Sequence, residues 1–155
     1  MIFVILGTQK EPFTRLLDLI EKSHLKQKVI VQAGHTKYKS TKMEIFDFKS
    51  PEEIQNLIQK ANFIITHAGT GSILTALKNN KKVIACARLK KYGEHVDDHQ
   101  KELAGAFAKA GYILEINDSA NLDNILTKID SFSPKPYISN TDKFIAKLKQ
   151  EIEQN

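Results

Sequence analysis

Phe63 to Gln100 reads FIITHAGTGSILTALKNNKKVIACARLKKYGEHVDDHQ, and this stretch decides the fold. Phe63-Ile64-Ile65-Thr66 has the length and β-branched content of a buried strand. A turn of small and hydroxyl residues follows, His67-Ala68-Gly69-Thr70-Gly71-Ser72. From Ser72 to Asn79 the spacing predicts a helix, with Ile73, Leu74, Ala76 and Leu77 on its apolar face. Val83 to Ala87 is a second buried strand, and it runs into a polar loop, Arg88 to His95. A strand, a glycine turn and a helix start make an anion site. Glycine lets a ligand approach the backbone, and the first helical N–H groups have no partner within the helix. The βαβ unit so formed takes ligands outside the carboxyl ends of its strands. These residues suit a phosphate-bearing ligand of the nucleotide kind, with a turn that merely connects strand to helix as the alternative reading. Neither GxGxxG nor GxxxxGKS/T is present, so the dinucleotide and P-loop fingerprints are unmatched.

Outward from this unit the same alternation continues. Ile2 to Leu6 is a buried strand ended by the small turn Gly7-Thr8-Gln9, and Pro12 opens a helix to about Lys22 with Phe13, Leu16, Leu17 and Ile20 inward. Val29 to Gln32 and Met43 to Phe48 read as strands, and Ser50-Pro51-Glu52-Glu53 caps the next helix. Beyond the central stretch a helix is expected over 97–110, a strand over 112–116 and a helix over 117–129. Strands alternating with helices imply a Rossmann-like α/β domain, a parallel sheet with helices on both faces, over residues 1–130. Residues 131–140, with Pro134 and Pro136, read as a linker. Residues 141–155 read as an amphipathic helix, packed on the domain or docked on a partner.

A chain of 155 residues with 41% hydrophobic and 26% charged residues is that of an ordinary globular domain. No run of about 18 apolar residues is present, and the start at Met1-Ile2-Phe3-Val4 lacks the basic region of a signal peptide, so a cytoplasmic protein is expected. Cys86 is the sole cysteine and lies in an apolar run, which marks a core residue. The net charge of +5 comes without a basic stripe or interleaved aromatics, and nucleic acid is not expected as a partner.

The motifs THAGTGSI, KKVIA, KKYGEHVDDHQKELA and Gly111-Tyr112-Ile113 occur in that order, behind an opening IFVILGTQKEPFTRLL and a VIVQAGHTKY strand. Together they resemble the C-terminal half of family 28 glycosyltransferases over roughly residues 1–116. The short chain resembles the soluble subunit of two-subunit enzymes, which include the eukaryotic transferase adding the second N-acetylglucosamine to dolichol-linked sugar and bacterial capsule and exopolysaccharide transferases. The loop ARLKKYGEHVDDHQ is more similar to the bacterial branch. The resemblance implies the C-terminal half of a GT-B fold. It also implies transfer of a hexosyl unit from a UDP-sugar to a lipid-linked saccharide, without a metal or other cofactor. A membrane-associated acceptor-binding subunit would then hold the protein at the inner membrane face. A non-catalytic sugar-nucleotide-binding or regulatory subunit is the alternative.

It further implies a set of site residues. Thr70, Gly71 and Ser72 would face the diphosphate with Gly69, and Gly7, Thr8 and Gln9 would line the opposite side of the cleft. His99 and Gln100 would meet the donor sugar, and Phe48 and Lys49 the base. Many family members carry a ribose-binding Glu where this chain has Thr75, so a hydroxyl stands in for a carboxylate. Chemistry would fall on His67, Glu94 and His95, with a structural role for His67 the competing reading. By residue type alone, His95 and His99 at i, i+4 also suit a metal, and Asp97 and Asp98 suit a helix start.

Overall fold

Strands that are apolar on both faces are stable only when helices cover both faces. The computed structural model, which describes residues 1–117, 121–138, 143, 146–148 and 150, has that architecture. Its strands are β1 (Ile2–Ile5), β2 (Val29–Gln32), β3 (Met43–Phe46), β4 (Phe63–His67), β5 (Val83–Cys86) and β6 (Leu114–Ile116). Its helices are α1 (Thr14–Lys22), α2 (Pro51–Lys60), α3 (Thr70–Lys78), α4 (His99–Lys109) and α5 (Leu122–Ile129). All strand pairs are parallel, in the order β3-β2-β1-β4-β5-β6. Alternation along β1 divides the core. Phe3 and Ile5 pack with residues of α2, α3 and α4, while Ile2, Val4 and Leu6 pack with those of α1 and α5.

Side-chain capping from the preceding residue sets the starts of two helices, α2 and α5. Ser50 accepts from the Glu53 N–H and donates to the Glu53 carboxylate, with Pro51 first in the helix, so α2 begins where its capping residues predict. The first helix starts two residues after Pro12, because the N–H of buried Phe13 donates to the Thr36 hydroxyl. Helix α3 starts at Thr70, earlier than the expected Ser72. Helix α4 starts at His99, later than the expected position 97; a single 3-10 turn (Lys90–Tyr92) and further turns precede it, and Asp97 accepts the His99 N–H. His95 therefore lies outside the helix, and the shared helix face that would pair it with His99 on a metal does not form. Strands β3 and β6 are shorter than the patterns suggested, at four and three residues.

Among the described residues no helix is long and apolar enough to cross a membrane. The helix expected over 141–155 falls mostly outside the described residues, although Leu148 is described and is buried in the α2–α3–α4 half of the core. Residues 118–120 of the expected helix 117–129 are likewise outside.

Strand order reverses between β1 and β4, and in open α/β sheets ligands bind in the crevice at that point. Register carries the sequence signals there. Ile5 pairs with Thr66, so Gly7 emerges beside the end of β4, and His67 pairs with Cys86 of β5.

Candidate functional site

His67 ends β4 beneath this crevice, 8% exposed, between two glycines. A Cβ on Gly7 would lie 2.7 Å from its ring, and one on Gly69 2.4 Å away. Gly7 also holds φ at +86°, which L side chains rarely adopt. The two glycine turns are thus required by one imidazole that both backbones approach. Gly34, from the end of β2, abuts in turn: its Cβ position is 2.5 Å from the Gly7 carbonyl and 3.5 Å from the Phe48 ring. Phe48 is exposed beyond β3 and meets His35 edge-on at 5.4 Å between centroids. The residues expected to hold base and diphosphate therefore lie along one edge of the sheet.

Gly69 caps α3 without any side-chain hydrogen bond, and the first helical amide with an internal partner is Ile73, which donates to the Gly69 carbonyl. The N–H groups of Thr70, Gly71 and Ser72 precede it and point out of the helix end, as does its positive dipole. Gly71 is exposed and nothing lies within 4 Å of its Cβ position, so the approach is open. Thr75 is exposed on the next turn, with its hydroxyl donated to the Gly71 carbonyl at 2.8 Å. Thr8 is exposed, and Gln9 is half-buried with its Oε1 unpartnered among the described residues.

The loop residues divide differently from the expectation. Gln100, expected at the donor sugar, is 4% exposed. Its Oε1 accepts from the Ala68 and Arg88 N–H groups, both at 3.1 Å, and its Nε2 lies 3.1 Å from His67 Nδ1. Glu94, expected in the chemistry, is 3% exposed, and both carboxylate oxygens are engaged. Arg15 of α1 donates to Oε2 at 3.0 Å and to Oε1 at 2.9 Å, and the Leu89 N–H also donates to Oε1. His95 is partly buried beside Asp97 at 3.1 Å, and His99 is exposed near Glu102 at 3.7 Å.

The arginines behind this rim escaped the sequence reading. Arg88 is fully buried and stacks 4.9 Å above the Phe13 ring. It donates to the carbonyls of Leu6 and Glu11 at 2.7 Å and of Glu94 at 3.0 Å, joining the Gly7 turn to the Glu94 loop. Arg15 contributes a second tie, to the Ala87 carbonyl at 2.8 Å. Burial, with the charge of Arg88 next and that of His95 adding to it, lowers the His67 pKa to about 4, so the ring is neutral at pH 7.

A doubly wound parallel sheet with an uncapped helix start at its switch point is the frame of a nucleotide-binding domain. The chain belongs to the glycosyltransferase family 28 C-terminal domain, whose model matches residues 1–155. Among curated proteins it is similar to the UDP-N-acetylglucosamine transferase subunit ALG13 of several fungi. Identity to that of Candida glabrata is 32% over 72% of this chain and 56% of the relative, and to that of Debaryomyces hansenii 28% over 88% and 72%. The Saccharomyces cerevisiae protein is 34% identical over 46% of this chain, which is 34% of its own length. The chain thus spans 34%, 56% and 72% of the lengths of the Saccharomyces, Candida and Debaryomyces relatives. Among solved structures, the solution structure of ALG13 aligns with TM-score 0.64 at 21% identity, over 95% of this chain and 94% of that one. The glycosyltransferase SnogD of Streptomyces nogalater aligns with TM-score 0.58 at 17% identity, over 98% of this chain but 39% of its own. The fold is the Rossmann-like C-terminal half of a GT-B glycosyltransferase.

Proposed function

We propose that this chain is the donor-binding subunit of a two-component transferase, moving a hexosyl unit from a UDP-sugar to a lipid-linked saccharide acceptor. The observation that carries the reading is the meeting of the Gly7–Gln9 turn with the uncapped N-terminus of α3 at the switch point, inside a family 28 domain. Transfer requires the acceptor hydroxyl to attack the anomeric carbon as the bond to the diphosphate breaks, with a base taking the hydroxyl proton. Unpaired N–H groups and the helix dipole stabilise charge on the departing diphosphate without calling for a metal. Phe48 offers a face for the base, and Thr75 a hydroxyl for the ribose.

The base for the acceptor belongs in this reading to a separate, membrane-associated subunit. Glu94 is engaged on both oxygens and His67 is enclosed by glycines, which supports bracing roles for them. The names of the fungal relatives, each a transferase subunit, support a partner and make UDP-N-acetylglucosamine the first donor to try. The polysaccharide branch rests on the loop Ala87–Gln100 alone and draws no support from these relatives. Calorimetric titration with UDP tests the donor site, and saturable binding that EDTA leaves unchanged is expected. No heat with UDP or any UDP-hexose would refute the reading. Full transfer to a lipid-linked acceptor by the purified chain alone would remove the partner.

A further inference from the structure

The sugar-facing assignment of Gln100 conflicts with its burial, and its contacts give it another task. Its Oε1 takes two backbone N–H donors, from Ala68 and Arg88, both at 3.1 Å. A reversed amide would turn an NH₂ group against both, so the network fixes the orientation. Its Nε2 must then donate to His67 Nδ1 at 3.1 Å, which requires a lone pair on that nitrogen. A neutral imidazole with Nδ1 free carries its proton on Nε2. Nε2 lies 3.2 Å from Ser72 Oγ, so the ring donates and Ser72 accepts. Ser72 keeps its own hydroxyl proton for an acceptor outside the network, at the third residue of α3, among its free amides.

We propose that Gln100 is a positioning residue: through His67 it orients Ser72 to donate its hydroxyl proton to the donor diphosphate. The proposal rests on the donor-binding reading above. It explains why a polar residue occupies the inward register Gln100–Ala104–Phe107 of α4, all three buried. It also explains why glycines flank the ring at Gly7 and Gly69, since a side chain at either position would displace it. The charged or titratable groups that act on His67 are Arg88, from beyond β5, and His95, from the loop before α4.

Gln100→Glu supplies the test. Its carboxylate keeps the two acceptor contacts but presents an acceptor to Nδ1, drawing the ring proton there. Nε2 then becomes an acceptor and turns the Ser72 proton inward. At pH 8 the variant is expected to bind UDP about tenfold more weakly, the scale of one hydrogen bond to a charged group. At pH 6 an imidazolium donates from both nitrogens, so the loss relative to wild type shrinks; taking that ratio removes the titration of UDP itself. Ser72→Ala is expected to weaken UDP binding by a similar factor in the wild type and little in the Gln100→Glu background at pH 8. A variant loss equal at both pH values overturns the proposal. So does a loss confined to UDP-sugars with UDP untouched, which would restore Gln100 as a sugar ligand. Nitrogen-15 shifts of His67 in the unaltered chain, needing no substitution, must show Nε2 protonated and Nδ1 bare; the opposite tautomer refutes the relay. If UDP fails to bind the wild type, the donor reading falls, and these shifts still decide the relay.

Discussion

At the scale of single residues, His67 is where most of the physical constraint collects. Its pKa of about 4 lies below the ordinary 6.5, so the unfolded chain binds more protons between these values. Stability from the neutral ring is complete above pH 6.5 and is lost as pH falls toward 4, on the order of 3 kcal/mol. Denaturant unfolding of His67→Gln should therefore fall off less steeply with acid than wild type over that window; parallel curves would count against the buried neutral ring. Gly7→Ala forces a side chain into left-handed φ and into the imidazole at 2.7 Å. A cost of about 1–3 kcal/mol is expected from the backbone alone, accompanied by loss of UDP affinity, as read by urea unfolding and calorimetry.

At the scale of elements, two ties hold the loop between β5 and α4 to the rest of the sheet. Glu94 is buried, and Arg15 of α1 is its counter-ion. Arg15→Met would strand that carboxylate, and a loss of about 3 kcal/mol is expected. Adding Glu94→Gln should recover part of it, because the stranded charge is then gone. Additive losses in unfolding experiments would show that the pair does not couple. Much of this level could be read from the chain. Ser50, Pro51 and Glu53 announced α2, and Gly69-Thr70-Gly71 announced the turn into α3. The start of α4 was misread because Asp97 and Asp98 resemble a first turn, whereas Asp97 accepts the His99 N–H from outside the helix. The Gln100–Ala104–Phe107 spacing was the available signal that Gln100 faces inward.

For the whole molecule, ligand binding should feed back on folding. UDP at about a hundred times its Kd stabilises a binding-competent chain by about 2.7 kcal/mol. A rise in thermal midpoint with UDP, unaltered by a chelator, is expected; no rise would argue against a formed donor site. The sheet order places the turns after β1 and β4 side by side, and Arg88 anchors the β5 loop to the first while Gln100 ties it to the second. Residues 7, 67, 88 and 100 thereby become one network.

From its amino acids alone, this chain declared an alternating α/β architecture, a glycine turn at a helix start and the family it belongs to. These are local matters of periodicity, capping and backbone freedom, which neighbours in the chain decide between themselves. Only the tertiary structure decided that Glu94 is neutralised by Arg15 from 79 positions away, and that Gln100 turns its amide onto His67. A polar side chain reads the same on paper whether it faces a ligand or the interior. What separates the two is desolvation, and that is set by elements distant in the chain packing over it.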